Sequence, residues 1–273
     1  MKRLLSRTAT LTLAGALALA AGCATSPTGR SQLLMMSDAQ MSQMGIAAFD
    51  QMKTADKVST DRAKHAYVAC IVTALVAELP EQWRAQPWEA QVFAVDSPNA
   101  FALPGGKIGV NTGMLRLAEN QDQLAAVIGH EIGHVIASHA NERVSQSTLA
   151  EAGSAALAAY VGRNASPDAV KQYVALLGAG AQVGVLLPFS RKHESEADVI
   201  GQQLMARAGF DPAAAAELWR NMLEVARKEG RPPRLLSTHP DPEQRIEILQ
   251  RKAPELRADY EAARRQGRAP RCR

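Results

Sequence analysis

The five residues His130-Glu131-Ile132-Gly133-His134 restrict what this chain can fold into more than any other feature. Histidines four apart fall one turn apart on the same helix face, so both imidazoles can grip a single ion while Glu131 stands beside that face. Six histidines and 16 glutamates among 273 residues predict only ~0.01 such patterns by chance. The flanking Ala126, Val127, Ile128, Val135 and Ile136 are apolar, which buries the helix and excludes water. Asn120, with Gln123 three residues later, caps its start, and the helical pattern runs to about Arg143.

Two histidines are not enough. A zinc ion that keeps an open position takes three protein ligands. The metzincin pattern, with its third histidine soon after, needs Gly at 137 and His at 140, and both are Ala. His139 is one residue out of register and points about 140° from His134 on an ideal helix, so it reads as structural. The better source is Arg191-Lys192-His193-Glu194-Ser195-Glu196-Ala197-Asp198. Glu194 and Asp198, four apart, share a helix face. One carboxylate can bind the ion while the other holds the far ring nitrogen of a ligating histidine. Glu196 lies about 200° around from Glu194 and is expected to face away. His65 and His193 suggest no specific role.

The amino terminus is an address. Lys2, Arg3 and Arg7 precede an uncharged Ala- and Leu-rich stretch from Thr8 to Gly22, the pattern of a secretory signal and too short for a comfortable membrane span. It ends Ala20-Ala21-Gly22-Cys23, resembling a lipobox, with Ala20 where Leu is usual. Residues 1–22 are thus expected to be removed, Cys23 lipidated, 23–36 to form a tether and 37–273 one domain. Acyl chains would hold the protein at a membrane, and Ala24 in place of an Asp favours the periplasmic face of the outer membrane. Without residues 1–22 the formal charge of +4 falls to 28 basic against 27 acidic side chains. Nucleic acid is therefore excluded as a partner, since it needs a basic surplus to displace counterions. Cys70 and Cys272 are the remaining thiols in an oxidising compartment; they either pair with each other or stay unpaired.

Apolar residues recur at helical spacing over 37–52 and 61–79. Alternation over 90–95 predicts a strand, followed by turn residues 96–99, a strand at Ala100–Leu103, the Pro104-Gly105-Gly106 turn and a strand at Lys107–Asn111, together a small β-meander. An edge strand formed by Asn99, Ala100, Phe101, Ala102 and Leu103 could pair with an extended peptide through its main chain. Residues 173–189 are apolar enough to raise a transmembrane question; Gln182 and Pro188 favour a buried or interfacial helix. Further helices are expected at about 191–209, 212–228 and 242–251. The fold class is α+β, mainly helical, with the small sheet beside the His130–His134 helix.

Four segments resemble the HtpX-like and CAAX-prenyl-protease-like zinc metallopeptidases, in particular their periplasmic lipoprotein branch. They are residues 130–134, Glu194–Asp198, the Asn99–Gly106 stretch, and Ser237-Thr238-His239-Pro240 with Arg245 six residues after the histidine. The resemblance implies a gluzincin fold with one Zn2+ per chain on His130, His134 and Glu194, and Glu131 as general base. It also implies that His239 stabilises the transition state, that Arg245 and Asp198 support the site, and that the substrates are unfolded or misassembled envelope polypeptides. A chaperone-like or assembly-assisting lipoprotein with latent proteolysis is the alternative.

Overall fold

The computed structural model describes residues 23–164, 189–230 and 233–273. The signal at 1–22, and all of the apolar 173–189 stretch except Phe189, lie outside these. In chain order the amino-terminal elements are β1 (Cys23–Thr25), β2 (Ser31–Leu33), α1 (Asp38–Ala55), α2 (Arg62–Ala77) and α3 (Glu81–Arg84). Next come β3 (Glu89–Phe93), β4 (Ala100–Leu103), β5 (Lys107–Asn111), α4 (Thr112–Leu117), α5 (Gln121–Ile136) and α6 (His139–Asn164). The carboxy-terminal part holds α7 (Arg191–Ala208), α8 (Ala214–Glu229), α9 (Arg234–Thr238), α10 (Pro242–Lys252), a 3-10 turn (Ala253–Leu256) and α11 (Arg257–Arg265). No helix among the described residues is long and apolar enough to cross a membrane.

These residues fall into two compact units. The smaller contains 23–37 and 140–164. Residues 23–36, expected to form a tether, carry an antiparallel hairpin of β1 and β2. Long-range polar contacts hold it: Arg30 makes a two-pronged contact to Glu142 at 2.8 and 2.6 Å, and Gln32 Nε2 donates to the same carboxylate at 3.0 Å.

The larger unit spans Asp38–His139 and the described part of Leu187–Arg273. Its sheet has the order β3-β5-β4, with β3 parallel and β4 antiparallel to β5. The three strands were therefore correctly located, but they do not form a meander. Gly105 and Gly106, at φ +84° and +73°, turn β4 tightly into β5. That places β5 between its neighbours, where it is buried along its whole length. β4 is left at the edge.

Helix α5 is the core element. The Asn120 side chain accepts from Gln123 N at 2.9 Å, while Gln123 Oε1 accepts from Glu119 N. Every residue from Gln123 to Ile136 is buried. The helix ends seven residues earlier than the apolar pattern suggests, because Ser138 adopts φ 54° and α6 starts afresh at His139. Helix α7 begins on the Ser190 cap, whose hydroxyl accepts from His193 N, and packs directly on α5 through small residues. A Cβ built on Gly201 would lie 2.7 Å from His130 N and 2.8 Å from Gly129 C. Gly201→Ala is accordingly expected to cost about 1–3 kcal/mol by forcing the two backbones apart, read as a lowered midpoint in a denaturant titration.

A Cys70–Cys272 disulfide closes the unit, with Cα atoms 5.6 Å apart. The tail it holds is laid along the start of α5: Gln121 Nε2 donates to Pro270 O and Gln121 Oε1 accepts from Cys272 N, both at 2.9 Å.

Candidate metal centre

His130, His134, Glu194 and His239 each offer one ligand atom within 4.8 Å of the other three, and all four residues are buried. Helix α5 supplies the first two, one turn apart, with their Nε2 atoms 3.0 Å from each other. Glu194, from the first turn of α7, puts its two oxygens 3.4 Å from His130 Nε2 and 3.5 Å from His134 Nε2. His239, just past α9, has Nδ1 3.0 Å from both Glu194 oxygens.

Each flanking group has a defined task. Asp198 Oδ1 lies 2.9 Å from His130 Nδ1, which leaves Nε2 to face the cluster. Arg245 clamps Asp198 in two-pronged fashion, Nε to Oδ2 at 2.7 Å and Nη2 to Oδ1 at 2.6 Å, and reaches Glu194 Oε2 at 2.8 Å. Trp219 of α8 supports the guanidinium from its flat side, 3.7 Å from ring centroid to Cζ. Phe189 packs over the rings of His134 and His239, with centroids 4.1 and 5.3 Å away.

Glu131 points into the same space. Its Oε2 accepts from Ala102 N at 3.3 Å. Its Oε1 is buried and takes no hydrogen bond, with His239 Nε2 3.5 Å away. A buried carboxylate oxygen without a donor is costly unless something else engages it. Beside a cradle of two imidazole nitrogens and a carboxylate, a water held by a divalent cation is the chemistry that fits. The donor set also fits zinc, which favours nitrogen and oxygen ligands.

Electrostatics are consistent with that fit. Burial pushes the Glu131 carboxyl above its usual range, against the opposing pull of His239 and His130. Burial and the charge of His130 push His134 well down, so this imidazole stays neutral with a free lone pair. For His130, burial and Arg245 act downward, but hydrogen bonds to Asp198 and Glu194 prevail and raise it to about 9. Loading a cation must therefore displace a proton from His130. Burial alone would raise Glu194, yet His239 and His130 hold it far below the carboxylate range.

β4 borders this centre. Asn99 O accepts from Asn111 N. In an antiparallel ladder, that pairing leaves the main-chain polar groups of Ala100 and Ala102 on the outer edge, the side from which Ala102 N reaches Glu131. All the residues singled out for the site in this unit are thus brought together, with Asn99–Leu103 at its margin.

One expectation needs correction. His139 does not point away: its Nδ1 lies 2.9 Å from His134 Nδ1, because the break at Ser138 removes the ideal-helix angle on which that reading depended. Glu196 does face away from Glu194, yet it is buried, with Oε2 3.2 Å from His139 Nε2. The 200° offset from Glu194 holds, but α7 is buried on more than one face. Trp219 and Phe189 also escaped the sequence reading, since a lone aromatic at helical spacing or after an apolar run carries no site signal.

Two buried histidines one turn apart, a carboxylate from a second helix within reach of both and another carboxylate beside them are the arrangement of a metallopeptidase. The model of Peptidase family M48 matches residues 62–253, and the chain belongs to that family. It is 40% identical over 176 residues to the mitochondrial metalloendopeptidase OMA1 of Schizosaccharomyces pombe, covering 64% of this chain and 50% of the relative. It is 36% identical over 166 residues to the beta-barrel assembly-enhancing protease of Escherichia coli, covering 59% and 34%. Identity to the mitochondrial metalloendopeptidase OMA1 of Danio rerio is 35% over 242 residues, covering 84% and 49%. The chain spans between about a third and a half of the length of these relatives.

Proposed function

We propose that this chain is a zinc-dependent endopeptidase of the bacterial cell envelope that hydrolyses peptide bonds in unfolded or misassembled envelope proteins. His130, His134 and Glu194 hold the ion. The observation that carries this reading is the free, buried Oε1 of Glu131 beside that ligand set. When bound, zinc supplies Lewis-acid polarisation of the scissile carbonyl and acidifies the attacking water. Glu131 Oε1 takes the water's proton and passes it to the departing amine. His239 donates a hydrogen bond to the developing oxyanion, and Arg245 and Asp198 keep His130 and Glu194 aligned. The outer edge of β4 binds substrate main chain without demanding a sequence, which suits polypeptides whose strands are still unpaired. The name of the E. coli relative, a beta-barrel assembly-enhancing protease, supports the same substrate class.

Cys23 carries the lipid that holds the domain at the outer membrane, facing the periplasm; the lipobox-like Ala20–Cys23 run and the preceding signal support this. A second reading is a substrate-holding module with latent proteolysis. It is favoured by the position of His239, whose Nδ1 lies among the same donors and competes there with substrate.

Metal analysis of the purified mature chain tests the reading. One zinc per chain is expected in the wild type. Glu194→Ala is expected to lose most of it, together with cleavage of a denatured β-barrel protein. A wild type without zinc, or a Glu194→Ala variant that keeps zinc and turnover, rejects the proposal.

A further inference from the structure

The ring of His139 is fully buried and touches two groups of opposite character. Nδ1 is 2.9 Å from His134 Nδ1, and Nε2 is 3.2 Å from Glu196 Oε2. The contact is held from the side by His193, whose ring stacks on His139 at 4.4 Å and 27°. Two ring nitrogens meet at hydrogen-bond distance only when one carries the proton and the other a lone pair. The Glu196 carboxylate is an acceptor, which puts a proton on His139 Nε2. With His134 Nε2 turned to the cluster as a ligand, the proton between the two rings sits on His134 Nδ1 and His139 Nδ1 accepts it. His134 Nε2 keeps its lone pair, and that nitrogen faces His130 Nε2 and Glu194.

We propose that His139 and Glu196 are positioning residues for the metal ligand His134. Through the His139 imidazole they hold His134 in the orientation and tautomer that present Nε2 to the metal. The site is then braced twice, with Asp198 acting directly on His130 and Glu196 acting on His134 at one remove. No proton leaves the chain; the effect is one of orientation and polarisation. The two braces lie two residues apart on one helix, Glu196 on one side and Asp198 on the other. This inference rests on reading His134 as a ligand.

The test is zinc affinity, measured by competition with a chromophoric chelator, and the visible spectrum of the cobalt-substituted protein. The wild type is compared with His139→Ala, His139→Gln and Glu196→Gln. Metal-free melting curves are recorded for all four. His139→Ala is expected to bind zinc about 10–100-fold more weakly and to show an altered cobalt spectrum. His139→Gln, whose carbonyl can accept and whose amide can donate, should recover most of the affinity. Glu196→Gln should fall between. A purely structural His139 would lower the metal-free melting temperature without moving the affinity of the folded protein. Wild-type affinity in His139→Ala overturns the proposal, as does a His139→Gln variant that melts like the wild type yet binds as weakly as the alanine variant. If His139→Ala does not fold, unchanged affinity in Glu196→Gln overturns it. A wild type that binds no zinc rejects the ligand reading itself, an outcome distinct from all of these.

Discussion

Glu131→Gln is expected to lower the rate of peptide hydrolysis by about 10²–10⁴-fold, the usual contribution of a positioned general base, while zinc content stays at the wild-type level. The substitution keeps shape and removes one function. Ala102 N can still donate to the side-chain oxygen at this position, as it does to Glu131 Oε2, but no proton can be taken from water. Glu131 is not among the four residues whose ligand atoms cluster, so the cradle stays intact. Fold stability should hold or rise, since a buried carboxylate oxygen without a donor is costly to keep. Initial rates on a denatured protein, paired with metal analysis of the same preparation, check both halves. Unchanged turnover rejects Glu131 as the base; lost zinc rejects its separation from the ligand set.

Arg245→Met should be the most destabilising single change in the site, at about 3–5 kcal/mol, because breaking a buried ion pair strands the remaining charges. Arg245 is 3% exposed and serves two buried carboxylates, Asp198 and Glu194. Methionine retains the packing against Trp219 and supplies no charge. Lysine is a poor substitute, since a point charge cannot reproduce the fork that grips both Asp198 oxygens. The effect carries a pH signature. In the wild type, burial would raise Asp198, but Arg245 overrides it and depresses the carboxyl below its ordinary value. Asp198 therefore stabilises the fold above the ordinary aspartate pKa and ceases to do so only as pH falls through its own lower value. Without Arg245, burial is opposed only by His130, so the Asp198 carboxyl rises from its wild-type value and its stabilising share shrinks. The difference between the two proteins is thus largest near neutrality and narrows on acidification. Chemical denaturation of the metal-free forms at several pH values measures it, and a loss below about 1 kcal/mol would contradict the buried-pair argument.

What could be read from the sequence was whatever is encoded locally. The cap at Asn120, the bounds of β4 and β5, and the start of α7 all follow from nearby residue types. The convergence of Glu194 and Asp198 on the histidines followed from shared helix faces and metal-ligand chemistry. What could not be read depends on how elements meet. No short-range rule tells that β5 inserts between β3 and β4. Ser138 is neither Gly nor Asn, so nothing marks the left-handed residue that ends α5 and returns His139 to His134. The burial of Glu196 depends on the elements packed on more than one face of α7, which its own sequence does not specify. Trp219 acquires its meaning only once α8 lies over Arg245.

The Cys70–Cys272 bridge has a topological consequence. It ties the chain into a covalent ring, and His130, Glu131, His134, Glu194, His239 and Arg245 all lie within the 202-residue separation it spans. A single backbone cut anywhere between those cysteines leaves the two fragments joined, so a nicked molecule migrates as one piece until a reductant is added. An enzyme whose own peptide bonds share a compartment with its active centre can thus suffer one internal scission without shedding any part of the machinery that performs the next.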